Sequence, residues 1–115
     1  MGEQLLSLPT GTWKIYGNEE HGDLVISSVD GFGKLKGTAY GSEITGSFNW
    51  SSGQIHFVRQ VKPNLSDWET YTGYMSIVPI NVDAPQYLLA GFYVSGKHLA
   101  SLRHHFGWYA TLTKP

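Results

Sequence analysis

Short runs of residues suited to a pleated surface alternate along this chain with glycine-rich punctuation, and no stretch of useful length follows a helical period. In residues 11–16, Trp13 and Ile15 alternate against Thr12 and Lys14. Residues 23–28 form a second run, closed by the turn signal Asp30-Gly31-Phe32-Gly33. Leu35, Gly37 and Ala39 share one face of a third run over 34–40. Gly41-Ser42 turns into a fourth, where Ile44, Gly46, Phe48 and Trp50 oppose Glu43, Thr45, Ser47 and Asn49. Ser51-Ser52-Gly53 makes the next tight turn, into 54–61. A connection with Pro63-Asn64 leads to 68–77, and a loop marked by Pro79, Asp83, Ala84 and Pro85 leads to 86–94. The connection 95–103 has room for a short helical turn before the final run, 104–113.

Eight runs joined mostly by hairpins predict an all-β fold, an eight-stranded antiparallel up-and-down meander barrel. Many strands in so short a chain twist strongly, and closure removes the exposed edges. A two-sheet sandwich would need longer crossings than these connections supply. The expectation is a single domain over 1–115, with 1–10 as an amino-terminal extension.

Composition narrows the function classes. The chain is 41% hydrophobic, 14% aromatic and 15% charged, a balance that supports a packed core and excludes disorder. A net charge of −1 gives no electrostatic footprint for nucleic acid or an anionic membrane, and no apolar stretch approaches the roughly 20 residues of a spanning helix. Cysteine is absent, which removes disulfides, thiolate metal sites and a cysteine nucleophile together. Residues 1–10 lack a basic stretch leading into an apolar run, so no signal peptide is expected and a cytoplasmic location is.

Gly11-Thr12-Trp13 opens the first run and Gly33-Lys34-Leu35-Lys36-Gly37-Thr38 the third. In order and spacing they resemble the first and third strands of the avidin and streptavidin family, a resemblance that runs over most of the chain. Ile44-Thr45-Gly46, Tyr71-Thr72-Gly73, Gln86-Tyr87-Leu88-Leu89 and Gly107-Trp108-Tyr109 resemble its fourth, sixth, seventh and last strands. The resemblance implies the barrel, but not biotin. The family's polar contacts to biotin fall here on Ile15, Glu19, Ala39 and Tyr109, and its tryptophans on Arg59, Tyr71 and Tyr87. A site built on hydrogen bonds to a polar head loses tight binding without those partners.

If the resemblance fixes the inward face, alternation places Trp13, Ile15, Phe48, Trp50, Phe57, Arg59, Glu69, Tyr71, Met75, Tyr87, Leu89, Gly107 and Tyr109 inside. Arg59 and Glu69 are the charged exceptions. Hairpin pairing that sets Val61 opposite Asp67 also sets Arg59 opposite Glu69 and Phe57 opposite Tyr71, so the charges compensate each other. The expected ligand site is Arg59, Glu69, Tyr71, Tyr87, Tyr109 and Trp50, with Arg59 taking a carboxylate or other oxygen-rich group and tyrosines stacking on an apolar or sugar ring. Gly73-Tyr74, Gly91-Phe92 and Gly107-Trp108 repeat a glycine followed by an aromatic. With the glycines inward, Tyr74, Phe92 and Trp108 would form an outer apolar patch and the interface of a homodimer or homotetramer.

Catalytic and metal constellations are lacking. Of the five histidines, His104 and His105 are adjacent and would point to opposite faces of a strand; His98 could approach one of them, but no third ligand stands at a metal spacing. Serines sit mainly in turns, outside any nucleophile elbow. Asp67 and Glu69 alternate as paired carboxylates would, but an arginine opposite Glu69 favours the ionised state, wrong for a general acid. The sequence thus predicts a non-catalytic barrel with no cofactor and no metal, binding a small ligand other than biotin. The alternative is a structural or interaction barrel with a filled core, acting through an oligomeric outer surface.

Overall fold

The computed structural model describes residues 8–17, 20–62, 67–78, 86–95 and 105–113. Eight strands follow in order: β1 Gly11–Gly17, β2 Glu20–Val29, β3 Lys34–Ala39, β4 Ser42–Asn49, β5 Gln54–Lys62, β6 Asp67–Val78, β7 Gln86–Ser95 and β8 His105–Thr113. Each pairs antiparallel with the next, and β1 also pairs with β8, from Lys14↔Thr111 to Gly17↔Trp108, so the sheet is a closed up-and-down barrel. His98, His104 and the loop prolines lie outside the described residues.

Alternation produces this fold directly. Trp13, Ile15, Leu24, Ile26, Leu35 and Ile44 on β1 to β4 are all at most 1% exposed, and the residues between them on each strand are largely polar. Two bulges break the regular register, at Ser27 of β2 and Val61 of β5. The second replaces the expected Val61 and Asp67 pairing with Lys62↔Asp67, while Arg59↔Glu69 and Phe57↔Tyr71 stand as the sequence predicts.

The last strand corrects the sequence reading. Trp108 is 3% exposed and Ala110 is fully buried, so Trp108 points inward and is no part of an outer patch. Tyr109 is 46% exposed and points outward with Gly107, so neither lines the interior. The physical reason lies on the neighbouring strands. Gly73 and Gly91 face each other inside, and Trp108 pairs with Gly91. Gly73 leaves space that the indole fills, since a Cβ there would come within 2.9 Å of the Trp108 ring. Gly91 lets the backbones of β6 and β7 approach, since a Cβ there would strike the Thr72 carbonyl. Trp108 Nε1 donates to the carbonyls of Phe92 and Thr72, at 3.1 and 3.2 Å. The glycines of the repeated motif therefore differ in role, Gly73 and Gly91 facing inward and Gly107 outward. Gly91→Ala drives a Cβ onto the Thr72 carbonyl and should cost roughly 1–3 kcal/mol in urea unfolding. In Gly107→Ala the new Cβ meets nothing closer than the Gly91 carbonyl at 3.9 Å, and stability should stay within about 0.5 kcal/mol.

Aromatic rings fill the middle of the barrel. Phe57, Tyr71 and Tyr93 stack successively across β5, β6 and β7 with centroids 4.7 Å apart, and Trp108 meets Phe57 and Tyr71 edge-on. Trp13, Phe48, Met75 and Leu89 close the section toward the end where β1 begins, called the base below.

Candidate functional site

The opposite end, the mouth, carries the β3–β4 turn and the connections after β1, β5 and β7. Arg59 comes late in β5 and Glu69 early in β6, so their direct pairing puts both at the mouth. Arg59 donates from one guanidinium nitrogen to Glu69 Oε1 at 2.8 Å and from Nε to the Ala39 carbonyl at 2.8 Å. The Tyr71 hydroxyl donates to the same Glu69 oxygen at 2.7 Å. The ion pair is screened but not sealed, its side chains being 14% and 18% exposed. Below it the Phe57–Tyr71–Tyr93 stack forms an aromatic floor.

Tyr40 belongs to this cluster, although the sequence reading left it as the last residue of the third strand. It forms a two-residue turn with Gly41, and φ is positive at both, 52° and 80°. A tyrosine in the left-handed region is strained, a condition that recurs at functional sites. Its ring lies 5.0 Å from the Arg59 guanidinium carbon, and Gly22 makes room for it, since a Cβ there would fall 2.6 Å from Cδ1. The legible signal was the Tyr-Gly pair between two alternating runs.

The other expected site residues do not converge on this cluster. Strands of a meander alternate in direction, so Tyr87, early in β7, lies at the base, where its ring meets Trp13 edge-on at 6.4 Å. Trp50 sits in the β4–β5 turn, also at the base, and Tyr109 is on the outer wall. Among the described residues no group of three or more His, Asp or Glu side chains is arranged to hold a metal ion.

Burial and the neighbouring carboxylate set the protonation of the two tyrosines. Burial pushes the Tyr40 hydroxyl up to about 12. Burial, then the charge and hydrogen bond of Glu69, push Tyr71 further in the same direction. Both are raised above the unfolded value near 10, so their contribution to stability is complete below that pH. Above it the unfolded chain loses protons that the folded chain keeps, and stability must fall as pH rises. Urea unfolding followed between about pH 9 and pH 11 should show this loss, reduced in Tyr71→Phe.

The outer wall divides by charge. On β1 to β4 it carries Lys14, Glu20, Asp23, Lys34, Lys36 and Glu43, with Lys14 and Asp23 paired at 3.0 Å. On β6, β7 and β8 the described outward side chains include no Asp, Glu, Lys or Arg. The pairings Tyr74↔Ala90, Ala90↔Tyr109 and Tyr109↔Tyr16 run as one row across four strands, with Tyr16 stacked on Tyr109 at 4.8 Å and Phe92 beside the row. Tyr74, Phe92 and Tyr109 are each about half exposed. In comparisons with family models, curated proteins and solved structures, nothing matches this chain.

Proposed function

We propose that this chain is a non-catalytic binding barrel, avidin-like in fold, that takes a small ligand other than biotin at its mouth. The observation that carries the reading is the Arg59–Glu69 pair, held by the Ala39 carbonyl, the Tyr71 hydroxyl and the strained Tyr40 turn, yet left partly open to solvent. A guanidinium beside a carboxylate presents donors and acceptors side by side with no net charge. This favours a neutral oxygen-bearing group over the free carboxylate that Arg59 alone would suggest. The filled middle of the barrel keeps such a ligand shallow, on Tyr40 and the edge of the aromatic floor. Native mass spectrometry of freshly purified protein tests this. A small molecule retained by the wild type and missing from a folded Arg59→Met/Glu69→Leu variant supports it. The same adduct on both proteins, or none on the wild type, favours the second reading.

That second reading is the interaction barrel, favoured by the packed interior and by the outer wall of β6 to β8, whose described side chains carry no charge. Self-association there would use Tyr74, Phe92, Tyr109 and Tyr16, with Tyr109 in the place first given to Trp108. Sedimentation at micromolar concentration should then show a homodimer or larger assembly, and Tyr74→Glu/Tyr109→Glu should return it to monomer. A monomeric wild type removes this reading.

A further inference from the structure

At the base, the turn Asp30-Gly31-Phe32-Gly33 presents a phenylalanine that is 91% exposed, and a phenyl ring left in water calls for a reason. The turn is rigid. Asp30 Oδ1 accepts from the amides of Phe32 and Lys34 at 2.8 and 2.9 Å, and the Gly33 carbonyl accepts from the Phe48 amide at 2.7 Å. Gly33 has φ +87°, and a Cβ there would strike the Phe48 carbonyl and come within 3.4 Å of the Trp50 ring. Glycine at this position brings the Phe32 turn down beside Trp50. The facing turn is equally fixed, with Asn49 Oδ1 accepting from the amides of Ser51 and Ser52 at 2.8 and 3.0 Å.

Between the two turns lies a cleft of about 340 Å³ lined by Phe32, Ser47, Phe48, Asn49, Trp50 and Ser51. Of its aromatic residues, Phe48 is buried in the core, whereas Phe32 and Trp50 keep exposed surface. The Ser47 and Ser51 hydroxyls and the Asn49 amide nitrogen have no hydrogen-bond partner among the described residues. No lining side chain is ionisable, although Asp30 and Lys34 stand next to the turn. A site with exposed aromatic residues, spare hydroxyl and amide groups and no charge suits a ring with apolar faces and a polar, uncharged rim. We propose that this cleft is a second binding site, separate from the mouth, for a neutral sugar ring. The sugar's C–H face lies on Phe32 and Trp50, and its hydroxyls meet Ser47, Asn49 and Ser51. The volume fits one ring, so the site takes the end of a glycan or a single exposed unit.

The test is a two-dimensional amide NMR titration of the intact chain with glucose, N-acetylglucosamine, cellobiose and chitobiose. Saturable shifts at Gly33, Asn49, Ser51 and the Trp50 indole are expected with at least one of the four. Phe32→Ala should weaken that binding roughly three- to tenfold, the range that loss of one aromatic contact gives. Because Phe32 is almost fully exposed, the substitution leaves the fold intact, which the unmoved amides of β5 to β8 verify in the same spectra. Glucuronate should bind no more tightly than glucose. No movement with any of the four sugars overturns the proposal, as do shifts of equal size and midpoint in Phe32→Ala. The Arg59→Met/Glu69→Leu variant should bind the sugar as the wild type does, so failure at the mouth and failure at the base are read separately.

Discussion

Trp108→Ala should lower the unfolding free energy by roughly 3–5 kcal/mol, whereas Tyr109→Ala, one residue along, should lower it by about 1 kcal/mol. The indole is 3% exposed, packs edge-on against Phe57 and Tyr71, and rests in the space left by Gly73. Removing it opens a void among rings that stack on one another and cannot collapse independently. It also withdraws the donor shared by the Thr72 and Phe92 carbonyls. Tyr109 loses only its stack on Tyr16 at the surface. Urea denaturation followed by far-ultraviolet circular dichroism measures both variants. The reverse ranking would put the wrong face of β8 inside and dismantle the packing described above.

Arg59→Met should cost roughly 3–5 kcal/mol in the same assay, because it leaves Glu69 in the barrel without its counter-charge. Glu69 retains only the Tyr71 hydroxyl, and the Ala39 carbonyl loses its donor. Replacing both partners by apolar residues, as in Arg59→Met/Glu69→Leu, should recover most of the loss, since no charge is then stranded. A double-mutant cycle separates the two contributions. A single variant as stable as the wild type would mean that water reaches the pair freely and that the mouth is more open than its 14% and 18% exposure indicates.

The barrel was legible because each strand is a run of alternating residues between glycines, and short connections force neighbours to pair. The Arg59–Glu69 contact was legible for the same reason: a hairpin register fixes every pair along it. The bulge at Val61 was not, because one extra residue near a loop leaves no mark in the alternation. The direction of β8 went wrong where analogy overrode the strand's own pattern. Phe106, Trp108, Ala110 and Leu112 form the more apolar set and do face inward, whereas the glycine–aromatic repeat suggested the other parity. Alternation tells inward from outward but carries no height along the barrel axis, so it does not separate Tyr87 and Trp50 at the base from Arg59 at the mouth. Tyr40 is not legible in hydrophobic periodicity, because its left-handed backbone is a property of the turn.

Joining β1 to β8 has a consequence for how the chain reaches this state. Its contacts between Lys14 and Thr111 and between Gly17 and Trp108 link segments separated by nearly the whole sequence. During synthesis β8 emerges after the other seven strands, so the growing sheet holds two unsatisfied borders until the final strand arrives. Closure of such distant segments is slow compared with hairpin formation. Over that interval the unpaired borders of one molecule are open to those of another, so the concentration of unfinished chains bears on how many zip onto one another.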